Sequence, residues 1–305
     1  MIRLPLGDAR TGALPQDAIG RGGGRRGRRN HLIERDPMRF STISSGVLLL
    51  AATATPAFAQ DTAPPKPFTI TGNVTLTSDY RFRGLTQTNG DPAIQGTLNL
   101  NHSSGLYVGT FVSTIDGGLD GSTPALTGYG DAEVDLYGGY TKTLDNGFGF
   151  DAGLLYYLYP GKAGDLDTDF FEPYASLSYA LGPATAKVGV NYAWGGQKGL
   201  DFTSGHDDST YVYGQLGAGI PGTPVTLTGH VGYTSGALGL ANLDPADDNY
   251  LDWSLNAEAV GGPFKVGVTY VDTDISDAVV PALNGRFDRK LGRGSTVLAY
   301  VGVNF

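Results

Sequence analysis

Twelve stretches of about ten residues, each alternating apolar and polar side chains, fill most of the chain after residue 67. They constrain the fold more than any single motif does. They cover 68–84, 92–101, 105–115, 131–142, 148–158, 170–180, 184–194, 209–218, 224–234, 249–259, 263–273 and 295–305. In 131–142, Ala132, Val134, Leu136 and Tyr140 share one side, and Asp131, Glu133, Asp135 and Tyr137 share the other. In 148–158, Phe148, Phe150, Ala152, Leu154, Tyr156 and Leu158 stand opposite Gly149, Asp151 and Gly153. In 249–259, Leu251, Trp253, Leu255 and Ala257 oppose Asp252, Ser254, Asn256 and Glu258. Carboxylates on a half-apolar strand are costly inside a solid core. They are natural where one face meets lipid and the other meets water.

The connections have their own rhythm. Short ones follow the even stretches, at 101–104, 143–147, 181–183, 219–223 and 260–262, and long ones follow the odd stretches, at 116–130, 159–169, 195–208, 235–248 and 274–294. One odd connection, Thr86–Asp91, reads as short. Short turns at one end and long loops at the other, with an even strand count, predict an all-β, transmembrane, antiparallel up-and-down β-barrel of about 12 strands. A soluble sandwich or jelly roll explains alternation, but not twelve evenly spaced strands with this loop rhythm.

The segment from Met38 to Ala59 reads as an export signal. Arg39 supplies positive charge, Gly46 to Ala54 is apolar, and Ala57-Phe58-Ala59 fits the small-x-small cleavage rule, so the mature chain is expected to start at Gln60. The apolar run is too short to span a bilayer, which takes about 20 residues. Residues 60–67 form a short periplasmic lead-in to the barrel at 68–305. Residues 1–37, with the basic run Arg21–Arg29, are expected to be a dispensable extension or an over-long start ahead of Met38. A nucleic-acid arm does not belong in front of a secretory signal.

Charge supports the same reading. The chain has 21 basic and 30 acidic residues; without the nine basic and four acidic residues of positions 1–59, 12 basic and 26 acidic remain, a net charge of −14. No nucleic-acid partner is expected of such a surface. The absence of cysteine excludes a disulfide framework and a thiolate metal site.

The stretch 295–305 ends on Phe305, with Val297, Ala299, Val301, Val303 and Phe305 on one side. It resembles the C-terminal sorting signal of Gram-negative outer-membrane barrels, which implies the barrel-assembly machinery as a partner and Phe305 as its recognition residue. The segment Gly72-Asn-Val-Thr-Leu-Thr-Ser-Asp-Tyr-Arg-Phe-Arg-Gly84 resembles the opening strand of the TorF family of porins. The likeness continues through 91–96, 105–113, 133–140, 153–161 and 229–233, and covers most of 68–305. It implies an outer-membrane location, contact with membrane lipid and lipopolysaccharide, and a pore for small hydrophilic solutes. It names no solute. The chain departs from the family mainly in its basic preface.

The parity of the stretches turns a set of charges inward: Asp79, Arg81 and Arg83 from the first stretch, then Asp131, Glu133, Asp135, Asp151, Glu172, Lys187, Asp252, Glu258 and Lys265. Such a set is either an electrostatic constriction, since charged rings set selectivity in pores, or an ion-pair network filling a narrow lumen. Eight strands are filled by side chains and 16–18 leave a channel, so twelve leave both readings open. Eight carboxylates against four cations favour mild cation preference.

No cofactor, metal or enzymatic site is expected. Asp165–Asp169 spaces its acids like a calcium loop, but Phe170 and Ser176 replace the required Gly and Glu. Both this run and Asp244–Asp248 read as solvated acidic loops. A His–Ser pair can carry acyl transfer, yet His102 and Ser104 fall in a short turn away from the outer rim. His206 falls in a loop, and His230 faces the lumen. If the barrel does not conduct, its acidic external loops would serve a structural or binding role.

Overall fold

The computed structural model describes residues 67–117, 126, 128–200, 208–238, 248–275 and 293–305. The expected signal segment, its cleavage site at Ala57, Ala59 and Gln60, the basic run, His206 and Asp244–Asp247 lie outside the described residues.

Twelve strands form a closed antiparallel barrel. They are β1 (Phe68–Thr77), β4 (Ala93–His102), β5 (Leu106–Gly117), β6 (Gly130–Thr143), β7 (Phe148–Leu158), β8 (Phe170–Leu181), β9 (Ala184–Ala193), β10 (Ser209–Gly219), β11 (Val225–Gly236), β12 (Asn249–Gly261), β13 (Phe264–Thr273) and β14 (Thr296–Asn304). Each strand pairs with its sequence neighbours, and β1 closes the wall on β14. Closure removes the sheet edge, so the wall's backbone groups pair within the wall itself.

Alternation gives the wall its two faces. Ile70, Val74 and Leu76 of β1, Ile94 and Leu98 of β4, Val266 and Val268 of β13, and Val297 and Val301 of β14 are all exposed on the outside. The intervening residues point inward and are mostly polar, tyrosine or glycine. Tyrosines and glycines interlock across strands. Tyr107 lies over Gly139, Tyr137 over Gly109, Tyr174 over Gly153, Tyr213 over Gly189 and Tyr300 over Gly267, each tyrosine opposite its glycine in the ladder. A glycine without a Cβ lets the ring lie flat on the neighbouring strand, and the ring in turn covers the backbone that the glycine exposes.

Short turns close one end of the barrel. At 144–147 the Gly147 N–H donates to the Leu144 carbonyl at 3.0 Å and the Asn146 side chain accepts from the Phe148 N–H at 3.2 Å. Gly147 takes a φ of 88° there, which suits glycine. The opposite end carries the long connections.

The first strand departs from expectation. β1 stops at Thr77 instead of running to Gly84, and the connection to β4 is not a short turn at Thr86–Asp91 but the whole of residues 78–92. This segment folds into the barrel and forms a small hairpin, β2 (Arg81–Phe82) and β3 (Leu85–Thr86). Arg83 and Gly84 at its tip have φ of 46° and 83°. Two consecutive positive-φ residues between paired strands match a type I′ turn, whose twist suits a tight hairpin. Asn89 and Gly90, at 56° and 84°, form a second such turn, closed by the Asp91 N–H donating to the Thr88 carbonyl at 2.9 Å. Polar alternation continues through Arg81 and Arg83, so period alone carries the strand past its end. The turn residues are what bend it inward.

Candidate functional site: the lumen and its inward hairpin

The hairpin begins with a local knot. Arg81 Nε meets Asp79 Oδ2 at 2.5 Å, and the Thr86 and Thr88 hydroxyls donate to Asp79 Oδ1 at 2.5 and 2.9 Å. The Thr88 hydroxyl also accepts from the Tyr80 N–H at 3.1 Å. Asp79 thus holds the two ends of the hairpin together.

Its tip crosses the lumen. Arg83 Nη2 reaches Glu172 Oε1 of β8 at 2.6 Å, and Glu172 Oε2 accepts from Tyr157 of β7 and Asn191 of β9, each at 3.0 Å. The guanidinium lies 4.8 Å from the Phe82 ring centre and 4.3 Å from that of Tyr211 on β10. Among the described residues its Nε and Nη1 have no hydrogen-bond acceptor, and these rings lie against it. Tyr211 also bonds His230 Nε2 at 2.7 Å and donates to Asp252 Oδ1 at 3.3 Å. Gly84 packs against Thr273 and Asp252 on this same side, and on the other flank Tyr80 donates to Glu133 Oε1 at 3.3 Å. Arg83 is 2% exposed and Glu172 0%, so the pair itself is shielded from water. A buried pair so placed needs every partner it has, because desolvation of each ion costs several kcal/mol.

The inward charges therefore fall into two groups. Glu133, Asp135, Glu172 and Asp252 lie in the halves of their strands next to the long loops and are buried, as are Asp79, Arg81 and Arg83 of the hairpin. Asp131 sits at the same end, at the beginning of β6, and is exposed. Asp151, Lys187, Glu258 and Lys265 lie near the short turns. There Asp151 accepts from Tyr107 at 2.7 Å, and Tyr107 bonds Tyr174. Glu258 is buried and accepts from Tyr300 at 2.9 Å. Lys187 and Lys265 are half-buried, each with its ammonium over a tyrosine, 5.9 Å from the Tyr213 centre and 6.0 Å from that of Tyr300. This half of the lumen is a polar vestibule lined by half-buried Asn99, Asp151 and Gln215.

Arg81 and Arg83 do not project from a wall strand, as parity implied; they belong to the hairpin. The tyrosines, Asn191 and the hairpin itself are the parts that sequence reasoning missed. Asn89-Gly90, a strong two-residue hairpin signal, was the available clue. His102 Nδ1 lies 2.8 Å from the Ser104 hydroxyl in an exposed turn, where it also accepts from the Ser104 N–H at 3.2 Å, a local turn contact. Asp169 is bound by Lys162 at 3.1 Å, and Asp167 by Lys198 at 3.4 Å.

A family model described as "Bacterial protein of unknown function (Gcw_chp)" matches residues 61–301, which takes in every strand but the end of β14. The chain belongs to the Gcw_chp family. No curated protein matches it. Among solved structures this member of the Gcw_chp family is similar to the NanC porin, at 13% identity and a TM-score of 0.49, over 78% of this chain and 99% of that one. It is also similar to the KdgM porin, solved with disordered oligogalacturonate, at 7% identity and 0.47, over 77% and 98%. An outer-membrane channel from Pseudomonas putida F1 is similar at 12% and 0.45, over 79% and 96%.

Proposed function

We propose that this protein is an outer-membrane channel for passive diffusion of small hydrophilic solutes or ions, closed in the described conformation by residues 78–92. The observation that carries the reading is the inversion of the wall: aliphatic side chains exposed outside, and charged, amide and hydroxyl groups inside. Lipid is the solvent that suits the first face and water the second. Long loops would then face the exterior and short turns the periplasm. The Met38–Ala59 signal, cleavage before Gln60, the assembly-machinery partner and the TorF resemblance belong to the same reading.

One observation favours a second reading, a non-conducting barrel with a structural or binding role. Arg83 at the hairpin tip is buried against Glu172 of the wall, so the hairpin stands in the path a solute would take. The experiment is single-channel recording of the mature chain in planar bilayers, beside a variant in which 78–92 is replaced by a two-residue Asn-Gly turn. A channel gives rare or small openings in the wild type and steady conductance in the variant. Silence in both, with folded protein verified by heat-modifiable gel mobility, overturns the channel reading in favour of the second. Mass spectrometry of outer-membrane fractions tests export: peptides beginning at Gln60 are expected, and abundant membrane protein retaining Arg21–Arg29 refutes it.

A further inference from the structure

A cavity of about 50 Å³ lies beneath the hairpin, along the arc of wall formed by β13, β14, β1 and β4. A site needs about 10–15 Å³ to hold one water, so this one has room for more than one. Its lining includes the amides and hydroxyl of Asn73, Gln95 and Thr97, the aromatic rings of Phe111 and Tyr300, the Asp79–Arg81 pair and the ammonium of Lys265.

The charge balance here differs from that of the lumen as a whole. Asp79 also borders the cavity, but Arg81 and two threonine hydroxyls occupy its carboxylate. Glu258, which shares Tyr300 with this arc, is buried and bonded to that phenol. Lys265 is held more loosely. Glu258 acts on it through space, but its ammonium has Tyr300 6.0 Å away and, among the described residues, no carboxylate within 4.0 Å. A lysine ammonium carries three donors and no acceptor, so this side of the cavity asks for an anion.

The remaining groups ask for hydroxyls. Asn73 donates one N–H to Thr97 at 2.5 Å, and Gln95 donates one to Ser113 at 3.3 Å. Each amide has a second N–H, and the Gln95 carbonyl oxygen and the Thr97 hydroxyl hydrogen are not used by those bonds. A ligand with both a carboxylate and a neighbouring hydroxyl would satisfy the lysine and this amide pair together, within a space of a few heavy atoms.

We propose that this cavity is a binding site for small hydroxycarboxylates of two or three carbons, with Lys265 taking the carboxylate and Asn73, Gln95 and Thr97 the hydroxyl. The inference rests on the channel reading for its biological sense, because it names the solute class that the vestibule would select. It does not rest on conduction for its test.

The test is isothermal titration of the detergent-folded barrel with glycolate, and with ethylene glycol, acetate and chloride as the neutral, hydroxyl-free and simple-ion comparisons. Glycolate is expected to saturate in the millimolar range and to bind at least tenfold tighter than each of the other three. Lys265→Gln should weaken glycolate at least tenfold, and Lys265→Arg should hold it within about threefold, which separates loss of charge from loss of fold. Equal binding of chloride or acetate overturns the hydroxycarboxylate class. Glycolate binding unchanged in folded Lys265→Gln, or absent from the wild type, overturns the site. Single-channel recordings of the same preparation keep the two readings apart: conduction without glycolate binding refutes only the site, and binding without conduction refutes only the channel.

Discussion

Arg83 and Glu172 meet at 2.6 Å across 89 residues of sequence, with side chains 1% and 0% exposed. The contact joins the tip of the inward hairpin to the opposite wall. Removing one member leaves the other charged and without its partner in a site without water, a loss of about 3–5 kcal/mol if nothing else moves. The hairpin can avoid that cost by leaving its seat. Glu172→Gln is therefore expected to raise open probability in planar bilayers several-fold while the wall stays folded. Unchanged gating in a heat-modifiable, folded variant would separate this ion pair from closure.

Gly84 tests the hairpin from its backbone. Its φ of 83° is one that L side chains rarely adopt, and a Cβ there would run into Thr273 and Asp252. Gly84→Val should unseat the tip by strain and collision together, with an expected rise in conductance like that of Glu172→Gln. Arg83→Gly relieves the backbone at φ 46° and removes the guanidinium, so a rise in opening like that of Glu172→Gln would come from the ion pair and not from turn strain.

The tyrosine–glycine pairs belong to the wall rather than to the hairpin. A methyl group on Gly267 would occupy the place of the Tyr300 ring, which also donates to Glu258 at 2.9 Å. Overpacking of this kind costs about 1–3 kcal/mol. Gly267→Ala is expected to lower the unfolding midpoint in urea without opening the channel. Phe305 covers Gly72 in the same manner, and the two residues exchange backbone hydrogen bonds of 2.9 and 3.0 Å at the β1–β14 seam. Phe305→Ala is accordingly expected to reduce the yield of folded, heat-modifiable protein; an unchanged yield at low expression argues against any role in assembly.

One loop carries a carboxylate whose loss to acid can be followed locally. Burial pushes the Asp169 pKa up, but hydrogen bonds from Lys162 at 3.1 Å, the Thr168 hydroxyl at 3.0 Å and the Tyr159 N–H at 3.4 Å outweigh it and hold the carboxyl below its ordinary value. The folded pKa is the lower one. The contribution is thus complete above the unfolded value of about 3.9 and is lost as pH falls through the folded value. Hydrogen exchange in 159–169 should rise below about pH 4 in the wild type. In Asp169→Asn it should already be raised at neutral pH and show little further acid response.

The barrel was legible in the sequence because its cause is local. Side-chain alternation of period two, repeated twelve times, reports a wall with two unlike faces, and strands such as 148–158 coincide with the observed β7. The lumen was legible only as a list of inward charges. Parity tells which way Glu172 points, but its partner arrives from residue 83 through a turn, and its other bonds come from tyrosine and asparagine side chains that no charge count includes. Eight inward carboxylates against four cations suggested a negative pore; in the vestibule Asp151 and Glu258 stand beside Lys187 and Lys265 one for one, so the excess lies toward the long loops.

Thr77 and Ala93, the wall residues that flank the hairpin, are themselves paired in the β1–β4 ladder. The segment between them leaves and rejoins the wall about one strand spacing apart, some 4.8 Å. Such a stopper is leashed at both ends. Its local concentration at its own seat is set by the leash and not by how much protein the membrane holds. Reclosing is then a first-order event with a rate constant that dilution does not change, and each barrel should open and shut on its own clock.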